Sequence, residues 1–295
     1  MEKYYFNYSL DTNNSIAFKK AVQQIQIKPT QIIRPGDLHP RTGLPFRDPY
    51  TGGPLKTYSW IKSEEYQYKS IINSKFYEKL SFFLDEILIY QSSIVDCVQS
   101  DGKGFLDISY FIQSDFSQKI IRPRILSDIW KKLADLKSEF GFSYYQEFEN
   151  TDDDDDDELE IAEKFSLEIH SRPLIPLSEN EKATMNQALF HLDISQTGDQ
   201  IYILNTSDWF EKGRDESINN HIEACENFLD TQFEQLYPII SQNHNQMILR
   251  RNTTYFSLGT LFSAKMISYL ARLNMNLLFI DTSLEKPKDR YLSKG

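Results

Sequence analysis

The chain predicts an α+β fold made of two similar domains from an internal duplication, each a mostly antiparallel sheet with helices packed on one face. Three observations predict it. Single amphipathic helical stretches alternate with short strands of period two. The 295 residues are 40% hydrophobic and 14% aromatic, enough to bury substantial cores. The same order of hydrophobic patterns also runs twice, on either side of the acidic run Asp152 to Asp157. Shared order outweighs identity here, because a duplicated fold keeps its apolar positions after its surface has drifted. The chain then divides into a first repeat over residues 1–150, an acidic linker over 151–160 and a second repeat over 161–295.

Each repeat opens with a strand whose side chains alternate faces, Tyr4, Phe6 and Tyr8 in the first and Phe165, Leu167 and Ile169 in the second. A helix follows, capped by Ser15 and carrying Ile16, Phe18, Ala21 and Val22. Its counterpart begins at Ser178, which has capping-box spacing to Glu181, and carries Met185, Leu189 and Phe190. After Ile27 the first repeat makes a Pro/Gly-rich excursion over 34–56, whereas the second turns at Thr197-Gly198 into a strand over Ile201 to Leu204. Trp60 and Trp209 each precede a long helix, Ile71 to Ile89 and Ile218 to Tyr237, with Pro238 ending the second. Strands are predicted at Ile94 to Val98 and Leu106 to Ile112, separated by the turn Asp101 to Gly104, and at Met247 to Leu249 and Thr254 to Leu258. The last helix carries Ile125, Ile129, Trp130, Leu133 and Leu136, or Leu261, Met266, Ile267, Leu270 and Leu273. A closing strand, Phe142 to Phe148 or Leu277 to Asp281, completes each unit.

The net charge of -11 is uneven. Residues 1–150 are nearly balanced, and the second half holds almost all of the excess acid, which disfavours direct nucleic acid binding and favours a basic partner. Cys97 and Cys225 stand in different repeats and make neither a disulfide framework nor a CxxC motif. The opening residues lack the apolar core of a signal peptide, and no window approaches the roughly 20 apolar residues of a membrane span. A cytoplasmic protein with no membrane contact is the expectation.

Catalytic and metal-binding patterns are sparse. The histidines at 39, 170, 191, 221 and 244 form no i, i+4 pair and no HExxH, so neither a metal site nor a cofactor is expected. Asp152 to Asp157 places carboxylates at positions 1, 3 and 5 of a calcium loop, but Asp157 stands where the sharp turn needs glycine; a self-repelling linker is the better reading. His191 and Asp193 share a strand face and could act as a pair, although the exposed side of a half-buried strand explains them as well. Lys119, Arg122, Arg124, Lys131 and Lys132 read as solvated charge without the aromatic interleaving of a single-strand nucleic acid platform. The 34–56 loop is the strongest candidate. It is too long for an ordinary connection, and its prolines reduce the ordering cost of presenting Arg41, Phe46, Arg47 and Tyr50 to a partner.

The pieces Tyr4 to Leu10, Pro29, Gly36-Asp37, Trp60 and Phe76 to Leu88 make the first half resemble a family of uncharacterised bacterial domains: a strand, a helix leading to a Pro-containing turn, a Gly-Asp loop, a Trp and a leucine-rich helix. The second half resembles it more loosely and lacks the long loop. Such domains resemble those of immunity proteins of bacterial toxin systems, which implies a protein that binds and blocks a cognate toxin and performs no chemistry of its own. The expected function is therefore a stoichiometric protein-binding inhibitor of a basic toxin. Its contact residues would be Asp208, Glu211, Asp215 and Glu216 together with the Arg41 to Tyr50 loop, since an acidic inhibitor gains on-rate against a basic partner. An enzyme or ligand sensor with a site in the cleft between the repeats is the alternative, and a non-catalytic adaptor is the third class.

Overall fold

A computed structural model describes residues 2–47, 52–68, 73–113, 124–147, 164–174, 201–206, 217–252 and 257–281. In chain order the elements of the first half are β1 (Glu2–Thr12), α1 (Ser15–Gln24), β2 (Gln31–Ile33), β3 (Tyr58–Tyr68), α2 (Asn73–Leu88), α3 (Gln91–Gln99), β4 (Gly102–Gln113), β5 (Arg124–Ile125), α4 (Ser127–Asp135) and β6 (Ser138–Glu147). The second half contributes β7 (Lys164–Arg172), β8 (Ile201–Asn205), α5 (Ile218–Ile240), β9 (His244–Asn252), β10 (Ser257–Phe262), α6 (Ala264–Arg272) and β11 (Met275–Asp281). They form an α+β protein with two mixed sheets, ordered β10-β6-β4-β1-β3-β2 and β5-β11-β9-β7-β8. One pair in each sheet is parallel, β4 with β6 and β9 with β11; the other pairs are antiparallel.

The alternation of the opening strands sets the core. Tyr4, Phe6, Tyr8 and Leu10 of β1 are buried on one face, opposite Tyr110, Ile108 and Leu106 of β4. Phe76 and Phe83 of α2 close over them, Phe76 lying 4.7 Å from Tyr4 and Phe83 5.9 Å from Phe6. In the second sheet Phe165, Leu167 and Ile169 face Cys225, Leu229 and the other buried residues on the inner side of α5. Full burial of each such side chain contributes about 1.5–3 kcal/mol, so the period-two pattern in the strands and the 3.6 pattern in the helices fix which faces meet.

The two halves exchange an edge strand. β5, from the first half, pairs with β11 and puts Ile125 opposite Leu277; β10, from the second half, pairs with β6 and puts Phe262 opposite Phe140. Each exchanged strand runs straight into a helix, α4 or α6, and these two helices pack on each other. Both helices then end in the left-handed region, at Lys137 (φ 51°) and Asn274 (φ 49°), which turns the chain at once into β6 and β11. At the centre Phe142 of β6 stacks on Phe279 of β11 with ring centroids 4.4 Å apart, and Trp130 of α4 meets Phe140 edge-on at 5.1 Å.

Several local expectations are corrected. Ile94 to Val98 is helix α3, not a strand: Ile94 and Cys97 are buried at i, i+3, and a short apolar run cannot by periodicity alone be assigned to strand rather than helix. Trp60 precedes α2 as expected, but from inside β3, where it is buried opposite Leu10. Asn14, rather than Ser15, caps α1, its Oδ1 accepting from the N–H groups of Ile16 (3.0 Å) and Ala17 (3.1 Å). Pro238 lies inside α5 instead of ending it. The helix continues to Ile240, and Ser241 N–H donates to the Tyr237 carbonyl at 3.0 Å, so the missing proline N–H removes only one bond of the last turn. The expected helix after Ser178, the pair His191 and Asp193, Trp209 and the run Asp152 to Asp157 lie outside the described residues.

Candidate interaction surfaces

The 34–56 excursion leaves the edge of the first sheet between β2 and β3 and folds back on itself. Arg34 N–H donates to Asp37 Oδ2 (2.8 Å) and Asp37 N–H to the Arg34 carbonyl (3.0 Å), a turn that uses Gly36 at φ 88°. Beyond it Phe46 N–H donates to the Asp37 carbonyl (3.0 Å) and His39 N–H to the Leu44 carbonyl (2.8 Å), making a small hairpin. A second tier is held by Leu55 N–H to the Phe46 carbonyl (3.3 Å) and by Arg47 Nη1 to the Gly52 carbonyl (3.3 Å). Phe46 is half-buried against His39, with ring centroids 5.3 Å apart, and acts as the strut of the hairpin. Arg41 and Arg47 are exposed, beside Leu38 (59% exposed) and Leu44 (62%). Tyr50 lies outside the described residues, as do Asp208, Glu211, Asp215 and Glu216.

Two further clusters are assembled by the fold. A groove of about 180 Å³ runs between α1 and α3, with Lys20 and Asp96 paired across its exposed rim at 2.9 Å. Cys97 lines it, but burial, with a smaller contribution from Asp11, pushes its thiol up to about 11, so the reactive thiolate is scarce at neutral pH. On the second sheet Glu168 of β7 accepts from His170 Nε2 (2.9 Å) and from Arg250 Nε of β9 (2.9 Å). The His170 hydrogen bond first, and then Arg250, hold the Glu168 carboxyl below the usual range despite its partial burial.

A group whose folded pKa is lowered contributes stability that is present above its unfolded pKa and lost as pH falls through the folded value. Glu168→Gln is therefore expected to cost about 1 kcal/mol near neutral pH, kept small by the exposure of Arg250, and to cost nothing once the pH is below the carboxylate range. Urea unfolding at pH 7 and pH 3 checks this. The i, i+2 spacing of Glu168 and His170 is visible in the sequence; the cross-strand Arg250 is not.

His221 is buried, its Nδ1 2.6 Å from Thr206 Oγ1, which also accepts the Leu167 N–H at 2.9 Å; the pair ties α5 to β7 and β8. Among the described residues no group of three or more His, Cys, Asp or Glu could hold a metal ion, and no helix is long and apolar enough to cross a membrane. Of the basic residues read as solvated charge, Arg124 and Lys131 are exposed, while Lys132 pairs with Asp85 at 2.6 Å and bonds Ser81 Oγ at 2.7 Å. No protein-family model matches this chain, and neither the curated proteins nor the solved structures searched gave a match to it.

Proposed function

We propose that the protein is a stoichiometric protein-binding inhibitor of the immunity kind, acting on a basic protein toxin without catalysis of its own. The observation that supports this most is the self-bonded hairpin, on which Arg41, Arg47, Leu38 and Leu44 are all exposed. Arginine next to exposed apolar side chains is favoured at the centre of protein interfaces, and a hairpin already closed by its own hydrogen bonds loses little entropy when it docks. The surrounding chain, at -11 overall, supplies the long-range attraction to a basic partner. In this reading Asp208, Glu211, Asp215 and Glu216 add acidic contacts. The two halves are read as descendants of one duplicated unit, supported by the reciprocal pairing of Ile125 with Leu277 and Phe262 with Phe140.

Recovery of the tagged protein from its native host should yield one basic companion in a one-to-one, salt-sensitive complex. Against that companion Arg41→Glu with Arg47→Glu is expected to weaken binding by about tenfold or more, with a melting temperature lowered only by loss of the exposed Arg47 to Gly52 hydrogen bond. Absence of any stoichiometric protein companion would overturn the inhibitor reading. A companion bound equally well by the double variant would remove the hairpin from the interface.

A further inference from the structure

The side of the first sheet that faces away from the core carries an organised surface that the hairpin does not account for. Across β3, β1, β4 and β6 the register aligns Ser63, Asn7, Asp107 and Gly141 in one row, flanked by the rows Glu65, Tyr5, Ser109, Ser143 and Ile61, Ser9, Phe105, Glu139. Their burial is intermediate through β1 and β4, and Gly259 and Leu261 of β10, which extend the rows past Ser143 and Gly141, are exposed. At the middle of this face stands Asp107. Its Oδ2 accepts from Ser109 Oγ at 2.9 Å, and Asn7 and Ser143 also hydrogen-bond to the carboxylate, so its direction is fixed from three strands.

Aromatic rings border the carboxylate. Phe105 lies across Gly141: a Cβ added at Gly141 would meet Phe105 Cζ at 2.6 Å and Asp107 Oδ1 at 3.3 Å, so the ring and the carboxylate share the space that the glycine leaves. On the other side Tyr5 and Phe111 form an edge-on pair at 5.4 Å and 83°. Lys103 Nζ already sits 5.9 Å from the Phe105 ring centroid, where a cation is attracted to the ring face, but its charge is taken up by Glu139 at 2.6 Å. With that pair neutral, the charges on this face among the residues whose side chains are described are Asp11, Glu65 and Asp107 against Lys3, a net negative surface.

We propose that this face is a docking surface for a basic protein partner, and that Asp107 receives a partner arginine whose guanidinium stacks on Phe105. The inference rests on the protein-binding reading and names the chemistry it recognises. A planar guanidinium satisfies both requirements at once, since it pairs with a carboxylate by directed hydrogen bonds and lies flat on an aromatic ring. The negative face excludes a phosphate-bearing polymer as the occupant, because such a ligand would place like charge over Asp11, Glu65 and Asp107.

Burial of Asp107 raises its carboxyl above the usual range, with the Ser109, Asn7 and Ser143 hydrogen bonds opposing the rise. A raised carboxyl contributes stability at low pH that is lost as pH rises through the folded value. Asp107→Asn keeps an acceptor oxygen for the Ser109 hydroxyl and is expected to remain folded.

The test uses the intact protein, isotope-labelled, in an NMR titration with the peptide Ac-Gly-Arg-Gly-NH2 and with its Glu counterpart, beside a ten-nucleotide oligo-dT. The arginine peptide is expected to give saturable shifts confined to Tyr5, Asn7, Phe105, Asp107 and Phe111 with affinity of roughly millimolar order, as suits one side chain, and the other probes none. Asp107→Asn and Phe105→Ala should each weaken those shifts about fivefold or more while remaining folded. Shifts that scatter over the surface, that survive Asp107→Asn, or that appear with oligo-dT would overturn the proposal. With a companion recovered from the host, Asp107→Asn should lower affinity about 30-fold. If the companion binds Asp107→Asn as well as the unchanged protein, the face is wrong and the protein-binding reading stands; if no companion is recovered, that broader reading fails whatever the peptide does.

Discussion

Phe142→Ala is expected to destabilise the protein by about 3–5 kcal/mol and to do so in both sheets at once. Phe142 is buried and stacks on Phe279, so its removal leaves a void between β6 and β11 that neither sheet can fill alone. Two connections carry the damage across. β10 is hydrogen-bonded to β6 in the first sheet and leads into α6, while β5 is hydrogen-bonded to β11 in the second and leads into α4. A loss at the centre therefore loosens an edge strand of each sheet together with the helix behind it. Amide hydrogen exchange should show protection in β1 and β7 falling in parallel, and chemical denaturation should give one transition by fluorescence and by circular dichroism. If β7 and β9 kept full protection while β1 and β4 lost theirs, the two sheets would be independent folding units.

The second large effect is expected at a glycine. A Cβ on Gly104 would lie 2.7 Å from Tyr8 Oη and 3.3 Å from Ser138 Cβ, and closer still to Ser138 Oγ. Those two hydroxyls are themselves hydrogen-bonded at 2.7 Å, deep in the core, where burial drives the Tyr8 phenol far above its ordinary range. Gly104→Ala should cost about 1–3 kcal/mol by overpacking, even though alanine loses less backbone entropy than glycine on folding. Replacing Tyr8 by Phe and Ser138 by Ala in that background removes both clashing oxygens and both ends of their hydrogen bond, at the cost of the longer 3.3 Å bond from Ser138 Oγ to the Leu136 carbonyl. The triple variant should recover most of the loss, because deleting both ends of a hydrogen bond costs far less than orphaning one. Thermal melts of the single and triple variants check it; a triple variant no better than Gly104→Ala would place the strain elsewhere.

The legible part of the fold was the part carried by short-range periodicity. Tyr4, Phe6 and Tyr8 are buried on one face of β1 because a strand turns each second side chain the same way, and Ile129, Trp130 and Leu133 are buried on α4 because a helix repeats every 3.6 residues. A run too short to show a period does not decide between the two: five residues from Ile94 to Val98 fit a strand as well as the helix they form. In the 34–56 loop Arg41 and Arg47 are exposed, since charge and turn residues keep a Pro/Gly-rich segment at the surface, whereas Phe46 is half-buried against His39 and, like the Arg47 to Gly52 hydrogen bond, holds the hairpin together.

The sequence by itself determined the class of fold, the faces of the helices and strands that are buried, and the uneven charge, because each of these depends on residue type and on neighbours a few positions away. Only the tertiary structure decided that β5 and β10 trade sheets, that Phe142 meets Phe279, and that Asn7, Asp107, Ser109 and Ser143 converge on one open face. Those arrangements join residues from different strands, in the strand exchange from opposite halves of the chain, and hydrogen-bond register across a sheet is set by global packing that no local pattern encodes.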